Sequence, residues 1–514
     1  MFNSEKVSNR ALINTAVIIL LAVIGIFLRA WCLTLPLDRD VGLYAVISRG
    51  LSHHLLPYRD IFDHKPPGIY FLFWLVGKTA GLSVFSINLL ALTGYILNAV
   101  LICLLINELF GFKPALTAGL LYSFFSVNPY IEGLNSAQVE VFLISFVVFA
   151  YFLLFKYLRR KKLCLLIFSG VSMGIGLLFK QIAVLDVFLA VFLLIYFSQG
   201  IKRIAVFILS ALIPWVFTFL FFIAAKTFRE FFYYVFTFNL KYIGRGASSA
   251  GSFFHSFLTV NLKMASTMPL IILLSILFVL ACLVKHKGIK AVEKGKNHLF
   301  LVLWLLLTLG EVSLSGRFFP YYYIILIPPL SAASAVFLFP PFINWKGFSV
   351  YAKALIIAVL ILLFSVSLYR FSGFVSGNPL NTIKKVWPDE PFAETYQLGR
   401  YLKKTADSED YLFVWGDEAE LYFYSGLTSS SYYRDAPFIY FFKIMRRNPY
   451  FVLFSDFHRR PPEYVVIDSR HIPAFRYLPQ IGAYFSDNYL VKKRIPVIRD
   501  KTIKFNLTLL KRKK

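Results

Sequence analysis

Acidic residues are rare in the first 370 positions of this chain, and their placement marks the side chains best suited to chemistry. Only twelve of the 27 Asp and Glu residues occur there. A carboxylate can accept the proton of a hydroxyl, or orient that hydroxyl for attack, when it lies within hydrogen-bond reach. Half of the twelve are gathered in two polar segments, and these are Asp38, Asp40, Asp60, Asp63, Glu132 and Glu140.

Basic residues accompany the same acids. Arg59, His64 and Lys65 fall among them, and the two prolines after Lys65 fix the backbone at the start of the next helix. A lysine held there can bind a phosphate as a compact point charge. Lys180 and Arg317 lie in short segments between apolar stretches. For each of these two, an equally good interpretation is that the cation only extends to the lipid headgroups.

Several polar residues have a simpler structural interpretation. Asp38 is better explained as a helix cap, or as the partner of the arginine beside it. Asp60 and Asp63 could form salt bridges with their basic neighbours and only hold the segment in shape. His53 and His54 are adjacent, so on a helix they point to different faces. Because no third ligand is evident, the sequence does not predict a metal site at this pair.

The elements that must position these residues are transmembrane helices. The chain has 514 residues, of which 58% are hydrophobic and 16% are charged, and its mean hydropathy is +0.66. A soluble globular protein carries about 25% charged residues. A spanning helix needs about 20 apolar residues. Roughly eleven spans are predicted, near 11–31, 83–108, 114–129, 139–157, 163–179, 182–198, 204–225, 267–284, 298–314, 319–339 and 352–369.

The basic residues predict how the chain is oriented. The net charge is +27, and much of it lies in alternate short loops, which favours membrane orientation over nucleic-acid binding. The positive loops lie at 159–162, 202–203, 285–296 and 346–353, and Lys6 and Arg10 precede the first span. We therefore predict a multi-pass protein of the cell (inner or plasma) membrane with a cytoplasmic N-terminus. The loop at 32–82 and the C-terminal tail then lie outside.

The tail at 371–514 differs in composition from the rest of the chain. It holds 23 basic and 15 acidic residues. Two β-rich runs, Tyr411–Trp415 and Tyr464–Asp468, alternate with helical patterns such as Glu394–Lys404. This alternation predicts a small extracytoplasmic α/β domain. The sequence thus predicts a polytopic α-helical membrane domain at 1–370 and an α/β domain at 371–514.

Three stretches of the first outside loop together resemble a known family. They are Leu37–Tyr44 (LDRDVGLY), Pro57–Asp60 (PYRD) and Asp63–Gly68 (DHKPPG). Together they resemble bacterial GT-C glycosyltransferases, the relatives of protein O-mannosyltransferases and of the lipid A aminoarabinose transferase. Further similar stretches lie at 176–181, 315–323 and 410–417, so that the resemblance covers most of the chain.

The resemblance implies transfer of a sugar from a polyprenyl-phosphate carrier to an acceptor outside the membrane, which would be a lipid, a glycan or a protein hydroxyl. It implies that Asp40 is the base and that Lys65 binds the carrier phosphate. No cofactor is implied, although a divalent metal stays open. Weaker candidates for the phosphate are Arg59, Lys180 and Arg317. Candidate acceptor or sugar contacts are Glu140, Asp63, His64 and Tyr44.

Two positions depart from the family pattern. The family often has an acid directly after the loop aspartate, where this chain has Val41, so Asp40 is left as the best single acid. A histidine is common where this chain has Tyr321, which puts a polar role for that position in doubt.

Two other classes of membrane protein remain open. A transporter or flippase of lipid-linked saccharides would also be polytopic and able to hold a phosphate, but such proteins often show an internal repeat and polar residues near the midplane. This sequence shows no repeat, and its acids gather at one face. A ligase or polymerase of surface polysaccharide uses similar donors and is the second alternative.

Overall fold

The computed structural model describes residues 2–131, 134–243, 249–285, 292–375, 377–434 and 441–513. The chain divides into two compact units. The first contains Met1–Leu33, Asn88–Leu220 and Ile243–Val375, and the second contains Thr34–Ile87, Phe221–Tyr242 and Ser376–Lys514. The tail is thus grouped with most of the first loop, whereas a division of the chain at residue 370 stays a prediction.

The first unit is helical. Six helices among the described residues are long and apolar enough to cross a membrane, and a pair bent by 109° would make seven. A helix lies at each of the eleven predicted positions, but several are short, so length and composition support fewer full spans. The helices are α1 (Phe2–Arg29), α4 (Val84–Phe110), α5 (Phe112–Phe125), α6 (Val139–Arg160), α7 (Leu163–Leu177), α8 (Val184–Tyr196), α9 (Ile201–Ala224), α12 (Ala250–Thr267), α13 (Pro269–Lys285), α14 (Val292–Ser313), α15 (Ile327–Phe337) and α16 (Val350–Ser372).

Close backbone approach holds part of this unit together. A Cβ atom built on Gly174 of α7 would lie 2.1 Å from the carbonyl oxygen of Ala211 on α9, so only glycine fits there. Such small-residue contacts are a common way for helices to pack within a bilayer. Arg29 is fully buried, and it donates to Ser126 Oγ (2.7 Å) and lies 4.2 Å from the ring centroid of Tyr95.

The second unit is built around a five-stranded sheet in the order β2-β1-β3-β5-β4. The pairs β1–β2 and β1–β3 are parallel, and β5 pairs antiparallel with both β3 and β4. The strands are β1 (Tyr411–Trp415), β2 (Thr428–Ser429), β3 (Tyr464–Asp468), β4 (Tyr489–Arg499) and β5 (Thr502–Arg512). The predicted α/β tail and both of its predicted strands are therefore confirmed.

The remaining helices belong mainly to this second unit. A π-helical turn at Tyr233–Phe238 lies between two of them. The helices are α2 (Arg39–Ser52), α3 (Gly68–Ala80), α10 (Phe228–Phe232), α11 (Asn239–Ile243), α17 (Pro379–Val386), α18 (Phe392–Thr405), α19 (Glu420–Ser425), α20 (Pro449–Arg459) and α21 (Pro479–Asn488).

Helix α2 from the first loop at 32–82 packs into the hydrophobic core of the tail. Val46 belongs to the same buried cluster as Leu412 of β1 and Leu421 of α19. A Cβ atom built on Gly42 would lie 2.2 Å from the Cβ of Glu420, so a larger residue at position 42 would push the two helices apart. The tail and the loop that carries Asp40 are therefore one packed body.

Candidate active site

Asp40 lies in the first turn of α2, where the partial positive charge of the helix end favours a carboxylate. The helix starts where the sequence suggested, because Asp38 caps it by accepting a hydrogen bond from the Val41 backbone N–H (3.0 Å). The structural interpretation of Asp38 is thus supported. The next residue, Val41, is apolar and buried. Asp40 has a side chain that is 20% exposed, so it is the acid of this turn that reaches the surface.

Lys65 brings the two halves of the first loop together. Its Nζ lies 3.6 Å from Asp40 Oδ2 and 3.8 Å from Asp63 Oδ1, and 5.0 Å from the ring centroid of Tyr44. We call Asp40, Tyr44, Asp63, His64 and Lys65 the first-loop cluster. All five were predicted from the sequence, and the fold gathers them although 24 residues separate Asp40 from His64 in the chain.

Asp63 is a buried residue that holds the loop. Its side chain is 3% exposed, and it accepts from the backbone N–H of His64 (2.6 Å) and from the hydroxyl of Tyr70 (2.7 Å). The Tyr58 hydroxyl donates to the backbone carbonyl of Lys65 (2.6 Å), and burial raises the pKa of Tyr58 well above its usual value. These bonds fix the backbone on both sides of Lys65, so Asp63 acts mainly as a positioning residue.

Asn239 positions His64. Its Oδ1 lies 2.8 Å from His64 Nδ1, and its Nδ2 donates to the His64 carbonyl (2.7 Å). Burial lowers the pKa of His64 below 6.5, so the ring is neutral at neutral pH and donates through Nδ1 to this amide oxygen. Asn239 directly follows the π-helical turn, a distortion often found at functional sites.

Residues of the tail also contact the first loop at positions that do not belong to the first-loop cluster. Arg39, next to Asp40, forms an ion pair with Asp417 (2.8 Å). The Tyr432 hydroxyl donates to the Tyr58 carbonyl (2.8 Å). Glu420 is fully buried against α2, and burial raises its pKa to about 8, so its carboxyl is protonated at neutral pH. An uncharged Glu420 can lie against the helix without adding negative charge close to Asp40.

The first unit contains a second predicted group. Lys180 donates to Glu140 Oε1, and its Nζ lies 3.6 Å from the ring centroid of Tyr322 and 5.9 Å from that of Tyr321. Glu140 is fully buried in the first turn of α6, and its Oε2 accepts no hydrogen bond within the part of the chain that the structure describes. We call Glu140, Lys180, Tyr321 and Tyr322 the Glu140 group. Tyr321, at the position where the family commonly has a histidine, therefore lies beside the predicted cation Lys180.

Other predicted residues have different surroundings. Arg59 forms a bidentate contact with Asp60 (2.6–3.0 Å), which is the simple salt bridge that the sequence suggested. Arg317 is half-buried, and its backbone N–H donates to Ser315 Oγ (3.3 Å). Glu132 lies outside the described residues. Over the described ranges, no group of three or more His, Cys, Asp or Glu side chains is arranged to hold a metal.

Two positions next to the predicted residues were not found from the sequence. Asn239 lies in an aromatic stretch that reads as helix packing, and its distance of 175 residues from His64 gives no local signal. Tyr322 lies within the stretch 315–323 that resembles the family, but it was given no role there, and only the fold shows that its ring lies under Lys180. Contacts between residues that are far apart in the chain can be identified only in the folded molecule.

Comparison with solved structures identifies the fold. The structure of ArnT from Cupriavidus metallidurans bound to undecaprenyl phosphate matches with a TM-score of 0.58 and 14% identity, over 98% of each chain. An oligosaccharyltransferase from Archaeoglobus fulgidus, tethered to an acceptor peptide, matches with a TM-score of 0.54 and 14% identity, over 96% of this chain and 74% of that one. The archaeal oligosaccharyltransferase AglB in complex with dolichol-phosphate matches with a TM-score of 0.50 over 88% of this chain.

At the level of sequence, comparison with curated proteins gives no match. A family model described as dolichyl-phosphate-mannose-protein mannosyltransferase matches residues 64–225, which begin at His64 of the first-loop cluster. The resemblance inferred from the first-loop motifs is thereby confirmed. This multi-pass membrane chain has the fold of the GT-C glycosyltransferases, and its residues 64–225 match the mannosyltransferase family among them.

Proposed function

We propose that this protein is a glycosyltransferase that moves a sugar from a polyprenyl-phosphate carrier to an acceptor hydroxyl on the outer face of the membrane. The observation that carries the proposal is the first-loop cluster, in which a carboxylate and an ammonium group lie 3.6 Å apart at one end of α2. The relatives support the choice of donor, because ArnT binds undecaprenyl phosphate and AglB binds dolichol-phosphate.

The proposed reaction exchanges one bond at the anomeric carbon for another. The acceptor oxygen forms a bond to this carbon while the bond to the phosphate oxygen breaks, and the carrier phosphate leaves with the bonding electron pair. The hydroxyl proton goes to the base, which we assign to Asp40. A leaving phosphate needs charge stabilisation more than it needs a proton, and fixed positive charge supplies that stabilisation. We assign this role to Lys65.

Lys65 is preferred over the other cations because it lies beside Asp40, the assigned base. Its Nζ is 3.6 Å from Asp40 Oδ2, so a phosphate bound to Lys65 would lie close to the group that accepts the acceptor proton. Arg59 instead forms a bidentate contact with Asp60, and Lys180 donates to a buried carboxylate. A phosphate would have to break those pairs before Arg59 or Lys180 could bind it. We therefore keep Arg59, Lys180 and Arg317 as secondary candidates.

The remaining candidates are assigned to the sugar or the acceptor. Glu140 has a buried oxygen that can accept from a hydroxyl, and Tyr44 lies under Lys65. His64, held with its Nδ1 proton towards Asn239, would present a basic Nε2. The orientation of the basic loops supports a cytoplasmic N-terminus and an outside position for the first loop and the tail.

The test is release of free polyprenyl phosphate. Purified protein in nanodiscs is given a polyprenyl-phosphate donor whose sugar and lipid carry separate labels, together with an extract of surface acceptors. The proposal expects free polyprenyl phosphate and labelled acceptor in equal amounts. In liposomes, a donor that changes leaflet but stays intact would overturn the proposal and would favour a flippase.

A further inference from the structure

β4 and β5 form a hairpin at the open edge of the tail sheet. β4 is the last strand in the sheet order, so one of its sides has no neighbouring strand among the described residues. The strands are joined by Asp500 and Lys501, which both have positive φ angles (47° and 63°), as a two-residue hairpin turn requires. We call residues 489–513 the basic hairpin.

The charge of the tail is concentrated in the basic hairpin. This segment holds nine basic residues and one acidic residue, which is an excess of eight basic residues. The whole tail at 371–514 has the same excess of eight. Arg499 turns inward to a buried pair with Glu394 (2.9 Å). The basic side chains that are exposed are Lys492, Lys493, Arg494, Lys501, Lys504, Arg512 and Lys513.

Exposed apolar side chains lie among these cations. Ile498 and Ile503 are cross-strand partners near the turn, and they are 47% and 62% exposed. At the other end of β4, Leu490 and Val491 are 62% and 54% exposed. Lysines on an edge strand can prevent unwanted strand pairing, but that purpose does not require large apolar side chains beside them. Exposed cations and exposed apolar side chains together indicate a partner that presents both negative charge and apolar surface.

We propose that the basic hairpin binds the anionic headgroup surface of the lipid bilayer, with Ile498 and Ile503 entering the interface. Lys and Arg side chains are attracted to an anionic bilayer, and apolar side chains among them add burial at the headgroup boundary. An acidic polymer would satisfy the cations and leave the isoleucines in water. The tail follows the candidate span α16 directly in the chain, so it is tethered to a membrane segment.

The experiment uses the full chain in nanodiscs of phosphatidylcholine, with or without phosphatidylglycerol. Its four native cysteines are replaced by alanine, and Ile503→Cys carries an environment-sensitive fluorophore. We expect a blue shift of the emission, and quenching by a lipid-attached quencher, only in the anionic discs. Both effects should be lost in about 1 M salt, which screens charges beyond about 3 Å.

Charge variants test the chemistry of the contact. Lys492→Glu/Arg494→Glu should abolish the blue shift, and the matched control Lys403→Glu/Lys404→Glu, on exposed positions of α18, should keep it. Equal emission in both kinds of disc would overturn the proposal. A blue shift caused by soluble polyphosphate in neutral discs would overturn it in favour of an acidic polymer. Donor cleavage in neutral discs should be equal in the native chain and in Lys492→Glu/Arg494→Glu. The lipid contact can therefore be disproved while the proposed function still holds.

Discussion

The two units of the molecule each hold a lysine beside an acid, and the two arrangements differ in strength. In the Glu140 group, Lys180 donates directly to a carboxylate that has no solvent exposure. In the first-loop cluster, Lys65 lies at 3.6 Å and 3.8 Å from two carboxylates, one of them 20% exposed. The first pair is a direct hydrogen bond to a buried acid, whereas the second holds its cation at a longer distance from the acids, one of which reaches solvent.

The difference follows from where each acid lies. A buried carboxylate without its cation is costly, so Glu140 needs Lys180 for the stability of the fold. Asp40 is in the first turn of a helix and partly exposed, so the helix end and water contribute to the stabilisation of its charge. We infer that the Glu140 group is first a structural pair and that the first-loop cluster is the reacting centre.

The largest expected effect is on activity, and it comes from Asp40→Asn. The change keeps the shape of the side chain but removes the base, so the rate of sugar transfer should fall by about 10²–10⁴-fold. Donor cleavage by purified protein in nanodiscs measures this rate. Thermal unfolding should change little, because Asp40 is not buried.

Asp38→Asn is the matched control for that change. It removes a carboxylate two positions away, yet asparagine caps a helix about as well as aspartate does. The control should therefore keep most of the activity. Normal turnover by Asp40→Asn, or an equal loss in both variants, would contradict the assignment of Asp40 as the base.

The next effect is on stability, and it sharpens the contrast between the two lysines. Lys180→Met leaves Glu140 as an uncompensated buried charge, which costs about 3–5 kcal/mol for a fully buried pair. Because the Lys180 side chain is 24% exposed, we expect the lower end of that range. Thermal unfolding in nanodiscs measures the loss.

Two further variants show whether the pair is the cause. Glu140→Gln on the Lys180→Met background removes the unpaired charge and should recover part of the stability. Lys65→Met should lower the unfolding temperature less than Lys180→Met does, because the buried Asp63 keeps its hydrogen bonds from His64 and Tyr70, and it should reduce donor cleavage. If Lys65→Met destabilises the protein as much as Lys180→Met does, the two groups do not differ in the way we infer.

Much of the fold could be predicted because its signals are local. Apolar stretches located the helices, and the β-rich runs of the tail gave two strands at their observed bounds. The motif around Asp40 and Lys65 likewise lies within one loop. The sequence predicts more spans than helix length and composition support among the described residues, because several apolar stretches form helices too short to cross a bilayer alone.

The parts that could not be predicted depend on contacts between distant segments. The composition of the tail does not indicate that Glu420 contacts Gly42, or that Val46 packs in the hydrophobic core beside the sheet. The loop and the tail look like separate regions in the sequence because patterns of hydrophobicity carry no information on which distant surfaces meet. Asn239 was missed for the same reason.

The smallest effect concerns His64, which has no counterpart in the Glu140 group. Its pKa is lowered below 6.5 by burial, so in the native protein it stays neutral through the usual assay range. The unfolded chain binds a proton at this ring more readily than the folded chain does. Stability should therefore decrease as the pH falls below about 6.5, the ordinary pKa of histidine.

Asn239→Asp places a carboxylate beside His64 Nδ1, where the native amide oxygen lies 2.8 Å away, and it loses the donation from Nδ2 to the His64 carbonyl. The negative charge favours the protonated ring and should move its pKa upward into the assay range. The pH profile of donor cleavage should then gain an inflection at the raised pKa of His64, with a change in rate of less than about tenfold, because His64 would no longer present a basic Nε2 below that pKa. Asn239→Leu removes the hydrogen bond without adding charge, so it should gain no such inflection. If neither variant alters the profile, His64 is only part of the scaffold around Lys65, and the chemistry of the first-loop cluster rests on Asp40 and Lys65 alone.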